Sequence, residues 1–153
     1  MIPSYVGVPV GFTGTDDVAL IFLKDQRNLD AAIDNLNRSR HNLMIDNIIP
    51  GNRPTYLRYS DPKTDPTVPD IIVRPQAGII YTTNTAKIAE HGGLTDYDRK
   101  VACFASATNL QKMVFDHQIH TTKFAPTILQ PLGLDPNTLK GVVTENTKVI
   151  DGF

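Results

Sequence analysis

The feature that most constrains the fold of this 153-residue chain is an apolar run at residues 18–23, followed at once by a helical pattern. A strand that is apolar at every position fits a sheet covered on both faces, as parallel sheets are. Asp25 is a good N-cap, and Leu29, Ile33 and Leu36 recur on one helical face. A strand that leads directly into an amphipathic helix is typical of α/β proteins.

The rest of the chain continues this alternation of apolar strands and helices. Only two good helices accompany five or six predicted strands, and a doubly wound sheet needs more helices to cover both faces. The sequence therefore predicts an α/β fold with a mixed, mostly parallel sheet that is a partial α/β/α sandwich. Further strands are predicted at residues 44–49, 70–74, 78–81 and 101–105, and a closing hairpin at 142–150. A proline-rich loop is predicted at 50–69 and a helix at 121–132. Residues 1–14 are predicted to be irregular.

Composition excludes several classes of partner. The formal net charge is -1, and no run of Lys and Arg is interleaved with aromatic residues, so we expect no nucleic-acid partner. No apolar stretch approaches the roughly 20 residues that cross a bilayer, so we expect no membrane span. Cys103, the one cysteine, lies in an apolar run and is predicted to be an inert core thiol. The compartment is left open.

The candidate chemistry centres on the segment Glu90-His91-Gly92-Gly93. Glycines let the backbone turn sharply, so the His91 imidazole can project as a metal ligand, and the alternative is a loop histidine with no partner. Three nearby acids, Glu90, Asp96 and Asp98, are candidates to orient His91 or to bind a cation. The alternative for Asp96 and Asp98 is that residues 96–99 form an ordinary solvated turn. A second metal-binding hypothesis is the H-x-x-H pair His117 and His120, which would share one side of a helix. No phosphate-binding loop or nucleophile elbow occurs, so no catalytic residue is assigned.

Taken in order, several segments resemble the C-terminal part of the type I phosphodiesterase/nucleotide pyrophosphatase family, in the alkaline phosphatase superfamily. The resemblance covers about residues 15–153 of the chain. It implies a large α/β/α sandwich that hydrolyses phosphate esters with two metal ions, usually zinc, and a Thr or Ser nucleophile. The matching segments are DDVALI at 16–21, TDP at 64–66, PDIIV at 69–73, GIIY at 78–81, KIAEHGG at 87–93, TTKFAPTIL at 121–129 and LGLDP at 132–136.

The resemblance makes His91 the late histidine that ligates one zinc ion. In the family the nucleophile and the other ligands lie upstream of the segment that matches Asp16-Asp17, and residues 1–15 match none of them. A zinc ion takes three or four protein ligands, so at most a partial site is expected. We therefore expect residues 1–153 to be one incomplete domain, inactive alone, whose phosphate-ester substrate would bind only after completion by an N-terminal half.

The alternative to this enzymatic interpretation is a folded, non-catalytic remnant that acts only through self-association or a partner chain. A truncated sheet leaves a strand edge unpaired and an apolar face uncovered. Residues 18–23 and 71–73 are nearly all apolar, so we expect the isolated chain to associate rather than stay monomeric.

Overall fold

The computed structural model describes residues 2–51, 59–108 and 110–153, and it divides the chain into two units, Met1–Ala102 and Cys103–Phe153. Residues 52–58, part of the predicted proline-rich loop, lie outside the described residues. The described residues of the first unit form three α-helices and four strands: α1 (Ile2–Val6), β1 (Val10–Thr15), β2 (Ala19–Leu23), α2 (Leu29–Arg38), β3 (Ile45–Pro50), β4 (Ile71–Pro75) and α3 (Asp96–Arg99).

The sheet of the first unit has the strand order β1-β2-β4-β3, and every neighbouring pair is antiparallel. The predicted partial α/β/α sandwich with a mostly parallel sheet is therefore wrong. The helix α2 does return the chain so that β2 and β3 run in the same direction, since both are antiparallel to β4. However, β4 lies between them and is antiparallel to both. The prediction failed because an apolar run is typical of a central antiparallel strand as well as of a parallel one.

The core of the first unit lies between the sheet and the helices α1 and α2. Alternate residues of β2 and β4 pack with apolar residues of both helices. The side chain of Asn35 in α2 donates a hydrogen bond to the carbonyl of Val6 (3.0 Å), and Gly7, with φ +69°, follows. A β-carbon at Gly7 would overlap the Asn35 amide, so this turn requires glycine. The fully buried core residues are Val6, Ala19, Ile21, Ala32, Leu36, Ile71 and Val73.

Four local predictions are wrong. Residues 1–14, expected to be irregular, contain α1 and most of β1, while residues 78–81 and 101–105 form no strand. Phe104 is 92% exposed and Cys103 is exposed too, so this apolar run is not a core strand and its thiol is not a core thiol. The predicted hairpin at 142–150 is instead the end of a helix and the segment that follows it.

The second unit is described by itself. The helix predicted at 121–132 is confirmed as α4 (Phe124–Leu129) between two short 3-10 turns, and Gly133 ends it with φ +71°. The last helix, α5 (Lys140–Glu145), ends at Asn146, whose backbone is also left-handed. Thr127 of α4 is buried, and its hydroxyl accepts a hydrogen bond from the backbone of Ile150 (2.9 Å). Among the described residues of both units, no helix is long and apolar enough to span a membrane.

Candidate functional site

The loop that carries His91 is held against the turn between β1 and β2. The backbone N–H of Tyr81, at the start of the loop, donates to the carbonyl of Asp16 in that turn (2.8 Å). Further along, Lys87 Nζ lies 3.3 Å from Asp16 Oδ1 and 2.7 Å from Glu90 Oε1. The loop and the turn, 71 residues apart in sequence at Lys87 and Asp16, therefore meet through charged side chains.

Carboxylates are concentrated where the loop meets this turn. Burial raises the pKa of Asp17, and the negative charges of Asp98, Asp16 and Glu90 raise it further, against a hydrogen bond from the Gly93 backbone that lowers it. One oxygen of Asp17, Oδ2, is buried without a hydrogen-bond partner among the described residues. The carboxylates of Asp16, Asp17, Glu90 and Asp98 influence one another here, and two of them pair with Lys87, so among the described residues the local potential is negative and favours a cation.

His91 itself is exposed, and no described hydrogen bond or ion pair involves its side chain. The acids predicted to orient it make other contacts. Glu90 pairs with Lys87, Asp96 pairs with Lys100 (2.7 Å), and Asp98 accepts from the Thr95 backbone (2.9 Å) and hydroxyl in the capping box of α3. The structure thus brings these acids into the same loop as His91 without directing their carboxylates at its ring.

His117 and His120 belong to the second unit and lie outside any helix, so the helical i, i+3 geometry expected for them does not apply. The His117 ring packs edge-on against Phe115, with ring centroids 5.5 Å apart, and its Nδ1 lies 3.9 Å from Asp116 Oδ1. His120 precedes the 3-10 turn Thr121–Lys123, and its side chain makes no capping bond. Both histidines are exposed.

A zinc site needs three or four protein ligands in one place. Across residues 2–51, 59–108 and 110–153, no group of three or more His, Cys, Asp or Glu side chains is arranged to hold a metal ion. The described residues therefore do not fit a complete zinc site, and His91 stands as a single candidate ligand beside an acidic turn.

A cavity of about 470 Å³ lies between the end of β4 and α3. The residues that line it include Arg74, Gln76, Arg99 and Tyr97, and Tyr97 is exposed. Arg74 is held by Asp46, to which its Nε donates at 2.7 Å. Asp96, also in the wall, has its pKa lowered first by the hydrogen bond from Lys100 and then by the charges of Lys100, Arg99 and Arg74.

Sequence reasoning assigned no role in this region to Lys87, Asp17 or Arg74. Lys87 and Glu90 are three residues apart and form an ion pair, but they lie outside any helix, so helical spacing does not predict this contact. The contact of Lys87 with Asp16 has no local pattern, because it joins two segments that only the fold brings together.

No family model, no curated protein and no solved structure matches this chain. The likeness to the type I phosphodiesterase/nucleotide pyrophosphatase family stays a resemblance carried by the ordered motifs of the sequence.

Proposed function

We propose that this chain is the part of a metal-dependent hydrolase of phosphate esters that supplies His91 as one metal ligand, of the phosphodiesterase/nucleotide pyrophosphatase kind. One observation carries the proposal: the loop that holds His91 is docked on the acidic turn at Asp16 and Asp17. Both segments belong to the motif series that resembles the family. The antiparallel sheet lends the proposal no support, so it rests on these residues alone.

The roles of the chain's own residues follow from their placement. His91 is exposed, so its imidazole is accessible to an incoming metal ion. The carboxylates of Asp16, Asp17 and Glu90 give the neighbourhood a negative potential that attracts a cation. Bound zinc would supply polarisation of the phosphoryl group. The nucleophile and the remaining ligands would come from protein outside the described residues, because those residues hold no set of three.

The test is zinc binding and hydrolysis of a nitrophenyl phosphodiester by the purified chain, with His91→Ala as the variant. We expect zinc binding, measured by calorimetry, to be lost in His91→Ala and retained in His41→Ala, a matched change at another exposed histidine of the first unit. We expect little hydrolysis by the chain alone. Zinc affinity or ester hydrolysis that survives His91→Ala would show that the site is built from other residues.

The pair His117 and His120 is the competing metal site. Its double alanine variant is expected to leave the zinc stoichiometry unchanged, because the two histidines lie outside any helix and His117 packs on Phe115. Loss of the bound zinc in this variant, with binding retained in His91→Ala, would move the proposed ligand from His91 to this pair.

A second candidate function is non-catalytic self-association. It is favoured by β1, an edge strand whose sequence VGFTGT carries no charge and whose Phe12 side chain is 63% exposed. Edge strands without charges are templates for pairing with another chain.

A further inference from the structure

The cavity at the end of β4 lies within the first unit and has charged, polar and apolar residues in its lining. Its volume of about 470 Å³ falls in the range of roughly 300–1,000 Å³ that is usual for small-molecule sites. The lining comes from Asp46 of β3, from Arg74 and the residues just after β4, and from residues 94–97 and 99 at α3. Among the described residues, His91 is not one that lines it, so the cavity is distinct from the candidate metal ligand.

Arg74 is held in one orientation beside this cavity. Its Nε donates to Asp46 Oδ2 at 2.7 Å, and its Nη2 forms an ion pair with the same oxygen. The Arg74 side chain is 26% exposed, so it is neither fully buried nor free in solvent. A guanidinium has five N–H donors, so an arginine that already holds one carboxylate oxygen can bind a second oxyanion. Because Asp46 orients the group beforehand, less side-chain entropy is lost when such a ligand binds.

Positive charge exceeds negative charge around the cavity. Asp96 is paired with Lys100, whose Nζ lies 2.7 Å from Asp96 Oδ2, and Asp46 is paired with Arg74. Arg99 adds a further guanidinium to the lining. Both arginines lie close enough to lower the pKa of Asp96, after the larger effect of Lys100. Among the lining residues and Lys100, three cations accompany two carboxylates, and this excess of one positive charge favours an anion.

The rest of the lining suits the organic part of a ligand. Tyr97 is 84% exposed, so its ring is accessible. Leu94 and Ala77 are apolar, and the side-chain amide of Gln76 both donates and accepts hydrogen bonds. The backbone of Gln76 is fixed, because its N–H donates to the carbonyl of Met44 at 2.8 Å. Apolar and aromatic side chains beside a few charged donors are the usual composition of a small-molecule site.

We propose that this cavity binds a small organic oxyanion, a phosphate or a carboxylate, whose charged group is held by Arg74 and Arg99 and whose organic part contacts Tyr97. The planar fork of a guanidinium matches the oxygens of phosphate and carboxylate in the same bidentate geometry, so the two ligand classes share one chemistry. Salt weakens this binding, because it screens the attraction between charges that solvent can reach. The proposal stands apart from metal binding at His91, since neither a metal ion nor a nucleophile is needed to hold the anion.

The experiment titrates the full chain with phenyl phosphate, with benzoate and with uncharged benzamide, and follows the backbone amide signals by NMR. We expect both anions to shift the signals of Gln76 and Tyr97 until they saturate, and benzamide to leave them unchanged. Arg99→Met should weaken anion binding by about 10–100-fold, the factor that a hydrogen bond to a charged group contributes. Arg38→Met, which removes an exposed arginine of α2 that does not line the cavity, should leave the affinity unchanged.

The relative affinity of the two anions identifies the ligand class. Tighter binding of phenyl phosphate assigns the cavity to phosphates and tighter binding of benzoate assigns it to carboxylates, and both results support the proposal. The proposal is overturned if neither anion gives a saturable shift, if benzamide shifts the same signals equally, or if Arg99→Met binds as the unmodified chain does. Should Arg99→Met fail to fold, Arg74→Lys keeps the positive charge but loses the planar fork, and an unchanged affinity there overturns the proposal as well.

Discussion

Gly51, directly after β3, lies where the backbone of another segment leaves no room for a β-carbon. A β-carbon there would overlap the carbonyl oxygen of Pro69, and the Gly51 N–H is fixed to the carbonyl of Asp70 at 2.8 Å. A backbone oxygen has no rotamer by which to move away. We expect Gly51→Ala to lower the free energy of unfolding by about 1–3 kcal/mol, measured by urea denaturation.

Gly14 of β1 is the matched control, because a β-carbon there would meet the Phe12 ring at an ordinary 3.6 Å. Gly14→Ala should therefore leave the stability nearly unchanged or raise it slightly. Equal losses in the two variants would show that the close approach at Gly51 does not limit the fold.

The stability of the fold depends on pH through Asp17, and the raised pKa of Asp17 sets the direction of this dependence. Burial first, and then the carboxylates of Asp98, Asp16 and Glu90, raise this pKa above the ordinary 3.8. A carboxyl group whose pKa is raised by folding stabilises the fold at pH values below its unfolded pKa. This stabilisation is lost as the pH rises through the folded pKa. We therefore expect Asp17→Asn to be more stable than the unmodified chain at neutral pH, with the difference vanishing below pH 3.8.

Denaturant unfolding at several pH values measures this difference. Asp25 supplies the opposite case, because hydrogen bonds from Arg27 lower its pKa. Its contribution is present above the unfolded pKa and is lost as the pH falls through the folded one, so Asp25→Asn should lose stability at neutral pH. If Asp17→Asn were instead destabilised at neutral pH, the hydrogen bond from Gly93 would outweigh the repulsion among the acids.

At the scale of elements, the sequence predicted those whose causes are local. The strand β2 follows from an uninterrupted apolar run, and the helical segment after it follows from the cap at Asp25, which accepts from the Arg27 backbone, and from the spacing of Leu29 to Leu36. The five-residue α1 and the glycine-containing β1 give no such periodic pattern. The insertion of β4 between β2 and β3 depends on pairing between distant segments, which no local pattern records.

In the candidate site, too, the sequence predicted only the features that have a local cause. His91 and Glu90 are conspicuous in the sequence because two glycines follow them, whereas the contacts of their loop with Asp16 and Asp17 depend on the turn after β1, an element the sequence did not reveal. The predicted hairpin at 142–150 failed because β-branched residues such as Val142 favour strands only where a partner strand exists. In the structure, α5 ends at Asn146, and the backbone of Asn146 itself is in the left-handed conformation.

Thr127 links α4 to the segment after α5 in the second unit. Its buried hydroxyl donates to the carbonyl of Lys123 (2.6 Å) and accepts from the N–H of Ile150 (2.9 Å). Thr127→Val keeps the shape of the side chain but leaves the Ile150 donor without this partner, which costs about 1–3 kcal/mol. We expect hydrogen exchange at the Ile150 amide to accelerate in Thr127→Val and to stay slow in Thr127→Ser. Equal exchange in both would contradict a structural role for the hydroxyl.

At the scale of the whole molecule, one expected reason for self-association was an apolar sheet face left uncovered. Ile21 of β2 and Ile71 and Val73 of β4 are fully buried, whereas Leu20 and Phe22, on the other face of β2, are half-buried. The other expected reason was an unpaired sheet edge. At one edge β3 carries Asp46 and ends in Pro50, features that discourage pairing, while β1 at the other edge has neither charge nor proline. A bulge lies between Val10 and Phe12 and leaves the strand regular from Thr13 onward.

Association through β1 is therefore a specific prediction. We expect light scattering at about 100 μM to give a mass above the monomer's 16.9 kDa, because a second copy completes the hydrogen bonding of the edge. Thr15→Lys places a charge on that edge at an exposed position and should shift the chain toward monomer, whereas Ala31→Lys adds the same charge on the exposed side of α2 and should not. A monomeric mass for the unmodified chain across the whole concentration series would mean that β1 is not an interface. Association that persists in Thr15→Lys would place the contact on another surface, such as the one that exposes Val101.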